Sequence, residues 1–359
     1  MIRESDIQAA CRALGFALTG VCDLRSSAHA DEFHAWLRAG KHGTMEYLAR
    51  NTEMRDDPAL LLSGARSAIL VADLYHTRRE KGPEQATPAS PTAGMIARYA
   101  RGRDYHKVMK KRLHELCDSL RARQETAEFR AFVDTAPLME REIANLAGLG
   151  WIGKHTLLIH PRIGSYFFLG GILTTLEIDS APAPLTDHCG TCTRCIDACP
   201  TQAITPYSVD ASRCISYLTI ENRKVIDERF HDAIGNWLYG CDICQEVCPH
   251  NSSRPSEVGV GERNPEYAPR RDFFDVLEVL AWTSEDRANA VAGSAMTRAT
   301  LEMFKRNAVI VAANSIRSGC PEPHRSAILA RLTELASDRS ESPQLAALAA
   351  AKLGSLPLK

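Results

Sequence analysis

The sequence lacks any run of about 18 apolar residues, so no transmembrane helix is expected. Its first residues, MIRESDIQAACRALGF, place Arg3 and Glu4 ahead of any unbroken apolar run and do not read as a secretory signal. A cytoplasmic protein with no membrane partner is therefore expected. Charge of one sign is also missing: 43 Lys and Arg oppose 44 Asp and Glu, a formal net charge of −1. No global basic field points to a polyanionic partner, although a local patch suffices for nucleic acid. No G-x-G-x-x-G follows a strand and no P-loop is present, so a Rossmann nicotinamide site or a P-loop nucleotide site is unsupported.

Cysteine, by contrast, is plentiful. Eight of the 12 cysteines fall between positions 189 and 248. In a reducing compartment, clustered thiols bind metal more often than they form disulfides. The run Cys189-x2-Cys192-x2-Cys195-x3-Cys199-Pro200 has the bacterial ferredoxin spacing. Three thiolates at three-residue intervals wrap one cubane, and the fourth points away to a second. The later run, Cys241-x2-Cys244-x3-Cys248-Pro249, lacks one cysteine, because Leu238 stands where the first would be. Cys214 is the obvious substitute. The expected ligand sets are Cys189, Cys192, Cys195 and Cys248 for one [4Fe–4S] cluster, and Cys199, Cys214, Cys241 and Cys244 for the other. Structural zinc, usually held by two CxxC-type pairs, fits these crowded runs poorly. Cys11, Cys22, Cys117 and Cys320 are isolated and read as small buried hydrophobes.

A length of 359 residues with 45% apolar content allows two or three domains with a sizeable core. Residues 1–180 look α/β. Ser5 and Gln8 suggest a capping box before Ile7, Cys11 and Leu14, with Gly15 ending the helix. Apolar runs at 68–71, 129–133 and 165–178 suggest strands, and 104–123 has a helical pattern. The stretch from Arg78 to Pro91 reads as a surface loop, and Pro182 and Pro184 mark a linker. Residues 181–255 form the cysteine-rich unit, and 251–270 a second connection. From 270 to 359 the pattern is helical: Phe304, Ala308 and Val311 share a face, as do Ile328, Leu332 and Leu335, and Leu345, Leu348 and Ala349. Paired short helices suggest a small repeat cap.

Two clusters imply a low-potential donor upstream, of flavodoxin or ferredoxin type, and an acceptor within the chain. Asp104-Tyr105-His106-Lys107-Val108-Met109 half-matches the D-x-H-x-x-G corrinoid motif, but Met109 replaces the glycine. His106 thus reads as a polar helix start, not as a cobalt ligand. Asp134 follows an apolar strand, where a partly desolvated carboxyl with a raised pKa would suit proton donation; capping of the next helix is the alternative. Glycines at 148, 150, 153, 164, 170 and 171 would permit close backbone approach to a large flat ligand.

The chain resembles the epoxyqueuosine reductases along its whole length. The matching segments are RYARGRDYHK (98–107), VDTAPLMER (133–141), GWIGK (150–154), GSY (164–166) with Leu169-Gly170, CISYLT (214–219) and YGCD-x-C (239–244). This resemblance implies a mixed α and β multidomain chain: a cobalamin-binding domain related to reductive dehalogenases, a ferredoxin-like insert and a C-terminal HEAT-like helical unit. It implies reduction of the epoxide of epoxyqueuosine at the tRNA wobble position, with electrons passing through both clusters to cobalamin (B12) and Asp134 as proton donor. Cofactor-lining positions would be Arg55, Ala97, Asp134, Leu158, Leu169 and Ser216, several through backbone atoms. Two basic stretches, 97–112 and 298–317, are the expected tRNA contacts, with Arg298, Lys305 and Arg306 foremost. A monomer is expected. The competing readings are a corrinoid reductive dehalogenase, whose usual twin-arginine signal is missing here, and a plain ferredoxin-type carrier, which leaves both ends of the chain without a role.

Overall fold

The computed structural model describes residues 2–76, 90–180, 184–252 and 263–357. Most of the proposed 78–91 loop, Pro182 and the middle of the 251–270 connection lie outside the described residues.

Four strands, Leu18–Asp23, Ser67–Leu74, Phe167–Thr174 and Phe129–Val133, pair side by side in that order. Every pairing is antiparallel, with Ala68 opposite Leu173 and Val133 opposite Gly170. The expected α/β character is corrected here to an antiparallel sheet layered with helices, since apolar runs carry no strand direction. Ser67–Leu74 is buried at all positions because both sheet faces are covered. Ile69 and Val71 meet the helices Glu4–Ala13 and Tyr105–Arg121 through Ile7, Met109 and Leu113. Leu70 and Ala72, pointing the other way as strand geometry requires, meet Ile143 and Ala144 of the helix Glu140–Leu146.

Local signals explain the helix ends. Asp104 caps the Tyr105–Arg121 helix by accepting the His106 N–H at 3.1 Å. Gly15, at φ +83°, stops the first helix in the left-handed region that glycine tolerates. The Ser5–Gln8 capping box does not form: the N-cap is Arg3, two residues earlier, and Gln8 donates to Glu4 at 3.0 Å.

A second sheet draws on three distant segments. Ala93–Ile96 lies between Trp237–Tyr239, parallel to it, and Phe273–Asp275, antiparallel. Behind it the helix Leu301–Arg317 is buried over most of its length, followed by His324–Ser337 and Pro343–Ser355. Phe304, Ala308, Val311, Ile328, Leu332, Leu335, Leu345 and Ala349 share one core with Ile96, Leu218 and Tyr239. The four isolated cysteines are all buried.

Candidate active site

The thiols fall into two neighbourhoods. The Cys248 thiol is pushed up to about 11, by burial first and then by facing Cys189, Cys195 and Cys192. Cys244 is raised well above the usual thiol range by burial, then by Cys214, Asp242, Cys195 and Cys199. Cys241 is raised likewise by burial, with Cys244 and Cys214 as neighbours. Cys248 thus lies near Cys189, Cys192 and Cys195, and Cys244 near Cys214, Cys241 and Cys199, with Cys195 near both groups. Backbone N–H groups point at several sulfurs: Ala203 donates to Cys199 at 3.3 Å. Such donors stabilise thiolate, the form that binds iron. The eight-sulfur donor set, its backbone donors and its depth all fit two cubanes.

The sets differ in depth. Gly190, Thr191, Thr193 and Arg194, beside Cys189, Cys192 and Cys195, are exposed. Lys154 Nζ secures this loop by donating to the carbonyls of Gly190 at 2.6 Å and Cys192 at 3.0 Å. Cys214, Cys241 and Cys244 are more densely surrounded by protein yet keep some open surface, whereas Cys195 and Cys248 are buried behind that exposed loop. Ser216 follows Cys214 in the helix Ile215–Ile220. Ala97 abuts Gly240, so close that a Cβ on Gly240 would stand 2.5 Å from that of Ala97. Two of the six cofactor positions thus border the deeper thiols.

Asp134 immediately follows the strand Phe129–Val133. It does not cap the next helix, whose N-cap is Met139. Surrounded by protein, it still presents 42% of its side chain to solvent, between Val133 and Thr135, which line a cleft. His106 Nε2 meets Asp134 Oδ1 at 2.7 Å, and His106 Nδ1 meets Asp104 Oδ1 at 2.8 Å. The Tyr105 hydroxyl donates to Asp134 Oδ2. Tyr105 is fixed by stacking on Phe168, with ring centroids 4.1 Å apart. Burial alone would raise the Asp134 carboxyl, but His106, Tyr105 and Arg298 together hold it below the usual carboxylate range. The raised pKa expected from desolvation is therefore corrected. For His106, burial disfavours the charged form, but Asp134 and Asp104 outweigh it and the imidazole is raised. Reading His106 as a mere polar helix start missed this bridge. The available signal was an Asp two residues before a His at a helix entrance.

The cleft, about 560 Å³, is lined by Asp104, His106, Lys110, Arg130, Thr135 and Arg298, among others. Tyr47, 41% exposed, stands beneath the Arg298 guanidinium, 5.4 Å from ring centroid to Cζ. Arg298 also binds Glu221 through two 2.8 Å hydrogen bonds. Tyr47 feels the charges of Glu221 and Asp134, and Glu140 those of Asp134 and Arg55, so these groups share one region. Glu221 ends the helix that Cys214 begins, which joins the cleft to the deeper thiols.

The remaining expected positions are placed as follows. Arg55 is 8% exposed and donates to the Arg50 carbonyl at 2.9 Å. Leu158 is buried in a two-residue ribbon opposite Ile152, and Leu169 pairs with Ala72 mid-sheet. Gly150 and Gly171 permit close chain packing: a Cβ on Gly150 would meet the Ile159 carbonyl at 2.5 Å, and one on Gly171 that of Ile69 at 2.5 Å. Lys305 and Arg306 are corrected as RNA contacts. Lys305 is 6% exposed and paired with Glu341. Arg306 is 7% exposed and donates to the carbonyls of Asn222, Lys224 and Leu218. In the 97–112 stretch, Arg98, Arg101 and Arg112 are held by Asp242, Asp272 and Asp73, leaving Lys107, Lys110 and Lys111 as the exposed cations of its helix.

A family model described as a 4Fe-4S double cluster binding domain matches residues 188–251. One described as epoxyqueuosine reductase QueG, DUF1730, matches residues 55–135. The epoxyqueuosine reductase of Pseudomonas aeruginosa is 40% identical over 306 residues, covering 85% of this chain and 83% of that protein. That of Burkholderia pseudomallei is 40% identical over 362 residues, covering 91% and 86%. A solved epoxyqueuosine reductase bound to a tRNA-Tyr epoxyqueuosine-modified stem loop superposes with a TM-score of 0.84 at 28% identity, over 98% of this chain and 89% of the other. The Bacillus subtilis reductase, with its catalytic loop swung out of the active site, gives the same TM-score, identity and coverage. A double-cluster binding region in one chain with a paired carboxylate and imidazole at the end of a strand marks an iron–sulfur oxidoreductase. The chain belongs to the epoxyqueuosine reductase family, which reduces epoxyqueuosine in tRNA. Among the described residues no helix is long and apolar enough to cross a membrane.

Proposed function

We propose that the chain reduces the epoxide of epoxyqueuosine in tRNA with electrons that enter at the exposed thiol set and leave from the deep one. The exposed cluster is held by Cys189, Cys192, Cys195 and Cys248, the deep one by Cys199, Cys214, Cys241 and Cys244. Asp134 protonates the departing oxygen. The observation that carries this reading is the continuity from Cys214 through Glu221 and Arg298 to Asp134. Cobalamin is assigned to the region between Cys214 and Asp134. The depth and open surface of Cys214, Cys241 and Cys244 fit such a group, as does the position of Ser216 and Ala97 beside them. Arg55, Ala97, Leu158, Leu169, Ser216 and Asp134 would hold it, and when bound it supplies low-potential cobalt chemistry able to pass electrons to a carbon–oxygen bond.

The chain's own groups do the rest. Arg298, fixed by Glu221, and Tyr47 offer a charged and aromatic wall suited to a base turned out of the anticodon loop. Lys107, Lys110 and Arg130 supply exposed positive charge for the RNA backbone. The C-terminal helices, read as a short HEAT-like stack, give that RNA a rigid backing. A flavodoxin- or ferredoxin-type donor would meet the exposed cysteine loop, and the protein would act as a cytoplasmic monomer. Anaerobic reconstitution with iron, sulfide and a corrinoid, followed by assay of epoxyqueuosine loss from tRNA with a chemical reductant, tests this. Full turnover by corrinoid-free protein would overturn the cobalamin assignment. Full turnover by Asp134→Ala would overturn the acid.

A further inference from the structure

The reaction consumes two protons, whereas Asp134 is held in its ionised form between His106 and Tyr105. We infer that His106 is a positioning and proton-supplying residue that loads Asp134 before each delivery, with Asp104 as the group that orients and charges it. This inference rests on Asp134 being the acid.

The geometry carries it. His106 spans two carboxylates, with Nε2 2.7 Å from Asp134 and Nδ1 2.8 Å from Asp104. Asp104 is itself immobile, because the same oxygen caps the helix through the His106 N–H. The ring lies flat against Tyr105, 4.0 Å between centroids, and Tyr105 is pinned in turn on Phe168. The imidazole cannot rotate without breaking a hydrogen bond at either nitrogen. Its side chain is nevertheless 34% exposed, so solvent can restore its proton. Groups facing it from other elements are Arg130 on the neighbouring strand and Arg298 on the turn across the cleft, with Lys110 one helical turn along. Burial opposes a charged imidazole, and the two carboxylates prevail.

The steps balance. As the first C–O bond of the epoxide breaks, a proton passes from His106 Nε2 to Asp134 and on to the oxygen, giving a hydroxyl. His106 takes a proton from solvent and repeats the transfer as the hydroxyl leaves as water and the C=C bond forms. The two electrons come from the iron–sulfur relay.

Reconstituted His106→Gln, Asp104→Asn and Asp134→Asn enzymes are compared with wild type in single turnover on an epoxyqueuosine-bearing stem loop from pH 6 to 9. The His106 imidazole is also titrated by NMR. In wild type, the imidazole titrates above its ordinary value of about 6.5 and the rate falls as pH rises through that point. Asp104→Asn moves both the imidazole titration and the alkaline limb to lower pH. His106→Gln loses about 100-fold in rate, the low end of the usual range for proton transfer, keeps its stem-loop affinity and loses that limb. A His106→Gln enzyme with the wild-type rate and profile, or an imidazole titrating at or below its ordinary value, overturns the relay. If Asp134→Asn is inactive in the same experiment, only the relay has failed. If Asp134→Asn turns over fully, the acid assignment has failed first. Should His106→Gln not fold, the Asp104→Asn shift decides alone.

Discussion

Arg98 grips Asp242 twice, through its backbone N–H at 2.8 Å and through Nη1 at 3.2 Å, beside the thiol of Cys241. Asp242 is 2% exposed, and burial raises its carboxyl against the pull of Arg98. Removing the cation strands a buried charge. Arg98→Met is expected to destabilise the protein by about 3–5 kcal/mol. A lowered Tm together with reduced iron content after reconstitution checks this.

The division of the thiols predicts iron stoichiometry. Cys214→Ala should lower iron from about eight to about four atoms per chain while sparing the exposed cluster. Cys248→Ala should remove the other half. Cys22→Ala alters a thiol that donates to the Ile143 carbonyl at 3.7 Å inside the core, and leaves iron unchanged. Colorimetric iron determination separates the three.

Charge on the surface and charge in the core predict opposite phenotypes. Lys110→Ala should leave Tm unchanged, weaken stem-loop binding and reduce the slope of log affinity against log salt by about one. Arg306→Ala leaves the two buried carbonyls of Asn222 and Leu218 without their donor, at about 1–3 kcal/mol each. Its Tm should fall steeply while the salt slope stays as in wild type. Binding titrations at several salt concentrations, with melting curves, give both readouts.

His155 predicts an acid limb of stability. It is 3% exposed, and burial drives its pKa down to about 4. Below its unfolded value of about 6.5 the unfolded chain takes up a proton that the folded ring refuses until about 4. Stability from this source is therefore complete above pH 6.5 and lost as pH falls toward 4, by roughly 3 kcal/mol. His155→Gln should flatten this slope in melts across that range.

What was legible in the sequence was local. The Tyr105–Arg121 helix and the strand Phe129–Val133 follow from periodicity and a capping Asp, and the cysteine sets from spacing. What was hidden depends on partners distant in sequence. His106 looked unremarkable because Asp134 lies on another element, reached only after the helix turns back into the sheet. Lys305 and Arg306 looked like an RNA patch because Glu341 and the carbonyls of residues 218–224 cannot be foreseen from charge counts. Strand direction was likewise absent from the apolar runs.

The three-stranded sheet has a consequence for biosynthesis. Its central strand Ala93–Ile96 needs Trp237–Tyr239 on one side and Phe273–Asp275 on the other. The helix that starts at Cys214 is anchored by Arg306, 88 positions further along the chain from Leu218. During translation the deep thiols therefore lack their support until residues beyond 306 have left the ribosome. Iron delivered earlier would meet a loose loop. Maturation is thus ordered by the chain itself: the C-terminal helices must arrive before the segment that carries Cys214 is held in place.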